Sequence, residues 1–355
     1  MDASARSIEG STAARQNQPL LQVEDLRIEI PIRQGTLVAV DGVSFHINEG
    51  EVLGVVGESG AGKSLTGAAV IGLLEPPCHI AGGAIRLEGE RIDNLPYEQL
   101  RRIRGRQIGM VFQDPLTSLN PLYTVGRQLV ETIRTHSDLS ERAARKRALE
   151  LLGEVGIPAP DRRIDQYPHE FSGGMRQRVV IALALCVNPR LVIADEPTTA
   201  LDVSIQAQII KLLKRLCHEH GTAVMLITHD MGVIAETADR VAVMYAGRIA
   251  EVGPVAEVVR NAQHPYTHGL MGSIPMVGHD VERLTQIDGA MPRLTAIPPG
   301  CAFNLRCPRA FERCRSERPE LVPVKTTQAA CWLYDQAGDS APTLEPPLEG
   351  EPDHG

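Results

Sequence analysis

The residues with the most specific spacing for chemistry lie at positions 57–64 and fit the pattern G-x-x-x-x-G-K-S. They are Gly57, Glu58, Ser59, Gly60, Ala61, Gly62, Lys63 and Ser64. Glycines let such a loop curl so that backbone N–H groups point at phosphate oxygens. The lysine brings positive charge to the β- and γ-phosphates, and the serine hydroxyl is a suitable ligand for Mg²⁺. An apolar run precedes the loop and a helical pattern over 64–74 follows it. This strand–loop–helix context predicts a nucleoside triphosphate site.

Two adjacent carboxylates form the second candidate site. Asp195 and Glu196 follow the apolar run 191–194, which predicts a buried strand. Beside the phosphate-binding loop at residues 57–64, called the P-loop below, Asp195 would belong to the Mg²⁺ shell and Glu196 would polarise an attacking water. Strands that end in two acids are common, so the pair indicates this chemistry only in combination with Lys63 and Ser64.

A second possible anion site lies at Ser172-Gly173-Gly174, directly before the apolar helical stretch 179–187. A turn of small residues that opens a helix leaves N–H groups free, and the helix dipole favours negative charge. A chain with one P-loop does not need a second phosphate site for itself.

Four cysteines near the C-terminus form a further constellation, with the spacing C-x5-C-x6-C-x16-C. They are Cys301, Cys307, Cys314 and Cys331. Structural zinc usually shows tighter C-x2–4-C pairs, and four thiolates also suit a [4Fe–4S] cluster. The spacing alone leaves an iron–sulfur cluster, Zn²⁺ and free thiols open.

The elements that must position these residues follow from hydrophobic patterns. Antiparallel strands are predicted over 20–30, 36–47 and 82–91, the last with a turn at Gly89-Glu90. Buried strands are predicted over 108–112, 191–194 and 223–228, and a hairpin over 241–252 that turns at 246–247. Helical patterns cover 125–156, with Ser140 as N-cap and Gly156 at the end, and 205–216, which stops near Gly221. Alternating strands and helices indicate an α/β fold with a parallel sheet. The P-loop, Asp195-Glu196 and His229 would then share the carboxyl edge of that sheet.

Bulk properties narrow the class of protein. The 355 residues suffice for one large and one smaller domain, and a net charge of −8 with a pI near 5.8 argues against a non-specific nucleic-acid binder. No signal peptide is evident, and the longest apolar run is too short to span a bilayer. We expect a soluble or peripheral protein in a reducing compartment, with disordered ends over 1–19 and 336–355.

Residues 171–178 resemble the signature motif of ATP-binding cassette (ABC) proteins, and the other motifs of that family are present along the chain in the family's order. In this family the signature of one subunit closes on the ATP held by another, which implies that role for Ser172, Gly173 and Gly174. The resemblance also implies a Q-loop contact to Mg²⁺ and water for Gln113, a D-loop role for Asp202 in Ala200-Leu201-Asp202, and a γ-phosphate switch at His229. The catalytic set implied is Glu196, His229 and Gln113.

A narrower resemblance, to the ATPase subunits of oligopeptide/dipeptide (peptide/nickel) permeases, covers about residues 20 to 335. It rests on residues 112–121, Met175, 264–267 and 300–308. The fold implied is a P-loop NTPase core with an antiparallel β subdomain, a helical signature subdomain and a small Cys-containing C-terminal domain. The expected boundaries are 20–260 for the ATPase domain, with its helical part at about 114–185, and 261–335 for the C-terminal domain.

The same resemblance implies the ligands and partners. ATP and Mg²⁺ are expected, and a [4Fe–4S] cluster at the four cysteines, with Zn²⁺ as the alternative. The partners would be a second cassette, favoured as a paralogue, two transmembrane permease subunits and an extracytoplasmic solute-binding protein. The chain would sit peripherally on the cytoplasmic face of the inner membrane. One departure is that Thr36-Leu37-Val38 offers no aromatic residue to stack on adenine.

Two other function classes would require different sequence features. A cassette ATPase for DNA repair would carry a long coiled coil between the P-loop and the signature, and sustained heptads are absent there. A translation ATPase would carry two cassettes, and the sequence has one P-loop. A redox sensor without ATPase activity would not need Lys63, Glu196 and His229. An ATPase subunit that energises a peptide-type importer is therefore the leading hypothesis.

Overall fold

The computed structural model describes residues 18–199, 202–272 and 287–334. Within those residues the chain forms a four-stranded sheet and an eight-stranded sheet with helices packed around them. The ends predicted to be disordered, apart from residues 18 and 19, lie outside the described residues, as do Ala200 and Leu201 of the D-loop.

The described strands are β1 (Leu21–Ile32), β2 (Gly35–Ile47), β3 (Val52–Val56), β4 (His79–Leu87), β5 (Glu90–Arg91), β6 (Ile108–Val111), β7 (Leu191–Asp195), β8 (Ala223–Ile227), β9 (Arg240–Tyr245), β10 (Arg248–Pro254), β11 (Val322–Val324) and β12 (Thr327–Ala329).

The described helices are α1 (Lys63–Val70), α2 (Tyr97–Ile103), α3 (Pro115–Ser118), α4 (Val125–His136), α5 (Glu141–Glu154), α6 (Pro160–Arg163), α7 (Gly173–Leu185), α8 (Val203–His220), α9 (Met231–Thr237), α10 (Val255–Arg260), α11 (Pro265–Gly272) and α12 (Glu312–Ser316). Short 3₁₀ turns cover Pro168–Glu170 and Trp332–Tyr334.

The smaller sheet is antiparallel, with the strand order β2-β1-β4-β5. It confirms the antiparallel strands expected before and after the P-loop. The region 82–91 contains parts of two strands, and the turn predicted at Gly89-Glu90 lies one residue earlier, because Glu88 and Gly89 take positive φ angles of 50° and 85°.

The larger sheet carries the site, with the order β11-β12-β10-β9-β3-β8-β7-β6. The strands from β9 to β6 run parallel, and β10, β12 and β11 add antiparallel strands at one edge. All five residues of β3 and of β8 are buried, as expected for central strands covered on both faces. The α/β fold with a parallel sheet is confirmed.

Two predicted helices differ from the observed ones in length. The region 125–156 contains two helices, because the chain is non-helical from Ser137 to Ser140; Ser140 then caps α5 by accepting the N–H of Ala143 at 3.4 Å. The helix after the P-loop ends at Val70 and not at residue 74. It stops early because Gly72, two residues further on, takes a left-handed φ of 69°.

Candidate functional site

The P-loop connects the buried central strand β3 to α1. Gly57, Gly60 and Gly62 take φ angles of 152°, 84° and 99°, a region that side chains rarely adopt. A Cβ on Gly57 would come within 2.1 Å of the carbonyl oxygen of Met244, so only glycine fits there. Ser59 and Gly60 are exposed, and Ala61 is buried and donates its N–H to the carbonyl of Glu58 at 3.1 Å.

The Lys63 ammonium is held inside this loop. Its Nζ donates to the carbonyl oxygens of Gly57 at 2.8 Å and Glu58 at 3.1 Å. Burial lowers the pKa of Lys63, while the carboxylates of Glu196, Asp195 and Glu58 act to raise it. The lysine is thus a buried, preorganised positive charge inside the loop.

Asp195, the last residue of β7, faces the first turn of α1. The Ser64 hydroxyl donates to Asp195 Oδ1 at 2.9 Å. Burial raises the pKa of Asp195; the Ser64 hydrogen bond opposes this rise and the neighbouring Glu196 adds to it. Two neighbouring carboxylates that are partly shielded from water favour the binding of a cation between or beside them.

Glu196 follows β7 in a strained backbone conformation, with φ 45°, and its N–H donates to the carbonyl of Ile227 at 2.9 Å. Three side chains hold its carboxylate. Thr199 Oγ1 donates to Oε2 at 2.7 Å, Gln113 Nε2 donates to the same oxygen at 3.2 Å, and His229 Nδ1 lies 3.4 Å from Oε1. The structure therefore brings the three residues of the predicted catalytic set together at the carboxyl edge of the sheet.

The signature residues lie at the start of α7. Ser172 is the N-cap and accepts the N–H of Met175 at 3.4 Å, and Gly174 is buried against Ile205, whose Cγ2 would be 2.9 Å from an added Cβ. Gly173 is the first residue of the helix, and exposed Asp202 occupies the N-cap position of α8 without a side-chain hydrogen bond to the helix. Among the described residues, no hydrogen bond joins these positions to the P-loop or to Glu196.

The four cysteines converge without forming a closed metal site. All four line one cavity of about 10 Å³, yet no group of three or more His, Cys, Asp or Glu in the described residues is arranged to hold a metal ion. Burial raises the pKa of Cys301 to about 11 and that of Cys331 to about 12, and the neighbouring cysteines contribute. The thiols are close enough to affect one another electrostatically, so they form one cluster.

Sequence reasoning missed several contacts around the P-loop and Glu196. Thr199 was not singled out as a partner of Glu196. Tyr266 accepts the N–H of Glu58 at 3.0 Å, and the guanidinium of Arg306 lies 2.9 Å from the Glu58 carboxylate. Tyr266 and Arg306 both fall inside the motifs at 264–267 and 300–308, but nothing in those motifs indicates that they face a loop more than two hundred residues earlier.

The described residues include no helix long and apolar enough to cross a bilayer.

Comparison with protein families gives two matches along the chain. Residues 40–199 match the ABC transporter model, and residues 250–314 match the model of the oligopeptide/dipeptide transporter C-terminal region.

Relatives match nearly the whole chain. The oligopeptide transport ATP-binding protein OppD of Bacillus subtilis is 49% identical over 331 residues, which cover 92% of each chain. The dipeptide transport ATP-binding protein DppD of the same organism is 47% identical over 91% of this chain and 97% of its own. A putative peptide import ATP-binding protein of Brucella abortus is 50% identical over 86% of this chain and 94% of its own.

Solved structures share the fold of the ATPase part. The dimeric cassette MJ0796 bound to ADP and Pi matches with a TM-score of 0.60 and 30% identity, over 66% of this chain and 98% of that chain. The structure of cbiO1 from Clostridium perfringens matches with a TM-score of 0.59 and 32% identity, over 68% of this chain and 91% of that chain.

The P-loop, the strand that ends in two carboxylates and these likenesses together define an ATP-binding cassette ATPase. Within that class, the chain belongs to the ABC transporter ATP-binding subunits of the oligopeptide/dipeptide branch.

Proposed function

We propose that this chain binds and hydrolyses ATP to energise a peptide-type ABC importer. The observation that carries the proposal is the 47% to 50% identity with peptide-transport ATP-binding proteins, which extends through the C-terminal region as well as the cassette. The relatives' names support transport over repair, translation or redox sensing.

The P-loop is the proposed ATP site, formed by residues 57–64. Lys63 would contact the β- and γ-phosphates, and inward N–H groups of the loop would bind phosphate oxygens. Ser64 and Asp195 fit Mg²⁺, because they supply hard oxygen donors that already lie 2.9 Å apart, and Gln113 is a third candidate ligand. Bound there, Mg²⁺ would offset the charge of the phosphates.

Hydrolysis is assigned to Glu196. Its carboxylate would orient the attacking water and accept a proton at Oε1 or Oε2. Gln113, Thr199 and His229 hold this carboxylate, so its direction does not depend on a mobile rotamer. His229, whose side chain is 60% exposed, would also reach the γ-phosphate.

The signature and the D-loop are proposed to act on a second cassette. Ser172, Gly173 and Gly174 offer N–H groups at the start of a 13-residue helix, which suits a phosphate held by another subunit. Asp202 would lie at the same dimer interface. Two cassettes would then sandwich two ATP molecules between their P-loops and signatures.

The remaining assembly is proposed from the resemblance to the family. We propose an ATPase domain over 20–260, with its helical part at about 114–185, and a C-terminal domain over 261–335. The second cassette would be a paralogue, and the pair would bind two transmembrane subunits fed by an extracytoplasmic solute-binding protein. The chain would lie on the cytoplasmic face of the inner membrane, with the segment after Gln113 transmitting motion.

The four cysteines are proposed to hold one metal centre, a [4Fe–4S] cluster with Zn²⁺ as the alternative. Their chemistry fits, because buried thiols that oppose one another's ionisation are relieved by a bound cation. The cavity between the four thiols is less favourable. Its volume of about 10 Å³ has room for about one water molecule, so it would have to widen to admit four irons and four sulfides.

The test is reconstitution of the complex in lipid vesicles. The chain is co-expressed with candidate membrane subunits and a candidate second cassette, and ATP hydrolysis is measured with and without peptide-loaded binding protein. Peptide import that requires ATP and an intact Glu196 supports the proposal. A chain that hydrolyses ATP but neither copurifies with membrane subunits nor supports import would contradict it.

A further inference from the structure

The C-terminal segment, defined here as residues 287–334, is joined to the ATPase core through the main sheet. β12 pairs with β10 through Glu251 opposite Ala329 and Val252 opposite Gln328. Strands β11 and β12 of this segment therefore extend the sheet that carries the P-loop. Its loop between Cys301 and Cys307 packs against that core.

Aromatic rings fix this cysteine loop in place. Phe303 lies with its ring centroid 5.3 Å from that of Tyr245, at the end of β9, and 5.4 Å from that of Tyr266. Phe303 and Tyr266 are buried at 3% and 0% exposure. Ring pairs at such distances add to the free energy of burial, so the loop has a defined position over the P-loop.

Arg306, one residue before Cys307, projects from this loop onto the P-loop. Its Nη1 donates to both carboxylate oxygens of Glu58, at 2.9 and 3.0 Å, and to the hydroxyl of Tyr245 at 3.3 Å. Its remaining donors bind the backbone carbonyls of Asp288 at 2.9 Å and Ile287 at 3.3 Å. The side chain is only 8% exposed, so the guanidinium is fixed and its charge is poorly screened by water.

Glu58 needs such a partner because it is a carboxylate in a loop shaped for a polyanion. It acts on the pKa of Lys63, so it lies within electrostatic reach of the charge meant for the phosphates. Its own N–H is taken by the Tyr266 hydroxyl and does not point at a phosphate. Left uncompensated, the Glu58 charge would repel ATP.

We propose that Arg306 is a positioning residue for ATP binding, which neutralises Glu58 and anchors the P-loop to the loop between Cys301 and Cys307. The proposal rests on the P-loop being the ATP site. The C-terminal segment thus has a direct role in nucleotide affinity, separate from any metal its cysteines hold.

The experiment measures the dissociation constant of radiolabelled ATP for the full chain without Mg²⁺, so that hydrolysis does not interfere. Arg306→Gln should weaken binding about tenfold, or about 1.4 kcal/mol, because it leaves Glu58 unpaired. Glu58→Gln alone should tighten binding a few-fold, since Arg306 then adds net positive charge. The double variant should bind within about threefold of the wild type, a rescue that loss of packing would not produce.

Two further variants separate charge from structure. Arg306→Lys keeps a positive charge that can pair with Glu58 but loses the guanidinium donors to the carbonyls of Asp288 and Ile287, so its ATP affinity should lie between that of Arg306→Gln and that of the wild type. Arg315→Gln is the matched control, because Arg315 also adjoins a cysteine but is exposed and does not contact Glu58; it should leave affinity unchanged.

Wild-type affinity in Arg306→Gln, or weak binding that Glu58→Gln does not rescue, would overturn the proposal. If Arg306→Gln does not fold, the Glu58→Gln single variant still decides, since weaker ATP binding there would contradict repulsion by Glu58. A wild-type chain that binds no ATP at all would instead refute the nucleotide site itself, so the two failures are distinguishable.

Discussion

Replacing Glu251 with alanine should loosen the attachment of the chain that leads to Tyr266 and the P-loop. Glu251 lies in β10 with 0% exposure, and its two carboxylate oxygens accept the backbone N–H groups of Gln263 and His264, each at 2.9 Å. Tyr266, two residues further on, holds the N–H of Glu58. One buried carboxylate therefore fixes the entry to α11.

The size of the effect follows from those two hydrogen bonds. A buried donor left without a partner costs about 1–3 kcal/mol, so Glu251→Ala should lower the free energy of unfolding by about 2–6 kcal/mol. Glu251→Gln keeps one acceptor oxygen and avoids burying a charge, so it should cost only about 1–2 kcal/mol at pH 7.

The pH dependence has a defined sign. Burial raises the pKa of Glu251 above its ordinary 4.5, so the folded state binds its proton more tightly than the unfolded state does. The stability that this group contributes is fully present below about pH 4.5 and is lost as the pH rises through the folded pKa. The penalty of Glu251→Gln relative to the wild type should therefore be smaller at pH 7 than at pH 5.

Urea unfolding followed by the fluorescence of Trp332, the single tryptophan, measures these differences within the C-terminal segment. Exposed Glu257 offers a matched control, and Glu257→Ala should change stability by less than about 0.5 kcal/mol. An alanine variant of Glu251 within about 1 kcal/mol of the wild type would show that the two hydrogen bonds do not hold this segment.

Three further predictions concern the P-loop, the signature and the cysteines. Gly57→Ala should destabilise the chain by more than about 3 kcal/mol in thermal unfolding, because its Cβ would meet the Met244 carbonyl at 2.1 Å; a fully stable variant would contradict the loop geometry. Ser172→Arg should stop hydrolysis at the partner's P-loop but leave nucleotide photolabelling at Lys63 intact; lost labelling of this chain would oppose the sandwich arrangement. Cys307→Ser should destabilise the C-terminal segment while changing the arrangement of the catalytic residues much less. Wild-type protein purified without oxygen should contain iron and sulfide and absorb visible light. Colourless protein with stoichiometric zinc would exclude the iron–sulfur cluster, and metal-free protein with four alkylatable thiols would exclude both.

The parallel sheet could be predicted because its strands are short apolar runs with turn residues at both ends. Such runs have few alternatives once they alternate with helices, and β7 and β8 end within one residue of the bounds predicted for them. The break at 137–140 was missed because the helical periodicity of α4 and α5 continues across it, and a cap signal such as Ser140 does not by itself reveal where the preceding helix ends.

The residues of the site also fall into those that the sequence could predict and those that it could not. Lys63, Asp195 and Glu196 belong to motifs whose place at strand ends follows from the local pattern, and the structure puts them beside one another. Glu58 and Arg306 are 248 residues apart, and their contact depends on how β12 joins the sheet at β10. No local periodicity contains that information, since long-range pairing is decided by tertiary packing.

Glu196 is the proposed catalytic carboxylate of this ATPase, and Glu196→Gln tests that role most directly. The amide keeps the size of the side chain but cannot accept a proton from water, so turnover should fall by about 10²–10⁴ while ATP still binds. The measurement is phosphate release by the variant in complex with its partners, with ATP affinity determined on the same sample. The expected result is ATP binding close to that of the wild type with almost no phosphate release. Phosphate release at the wild-type rate would contradict it.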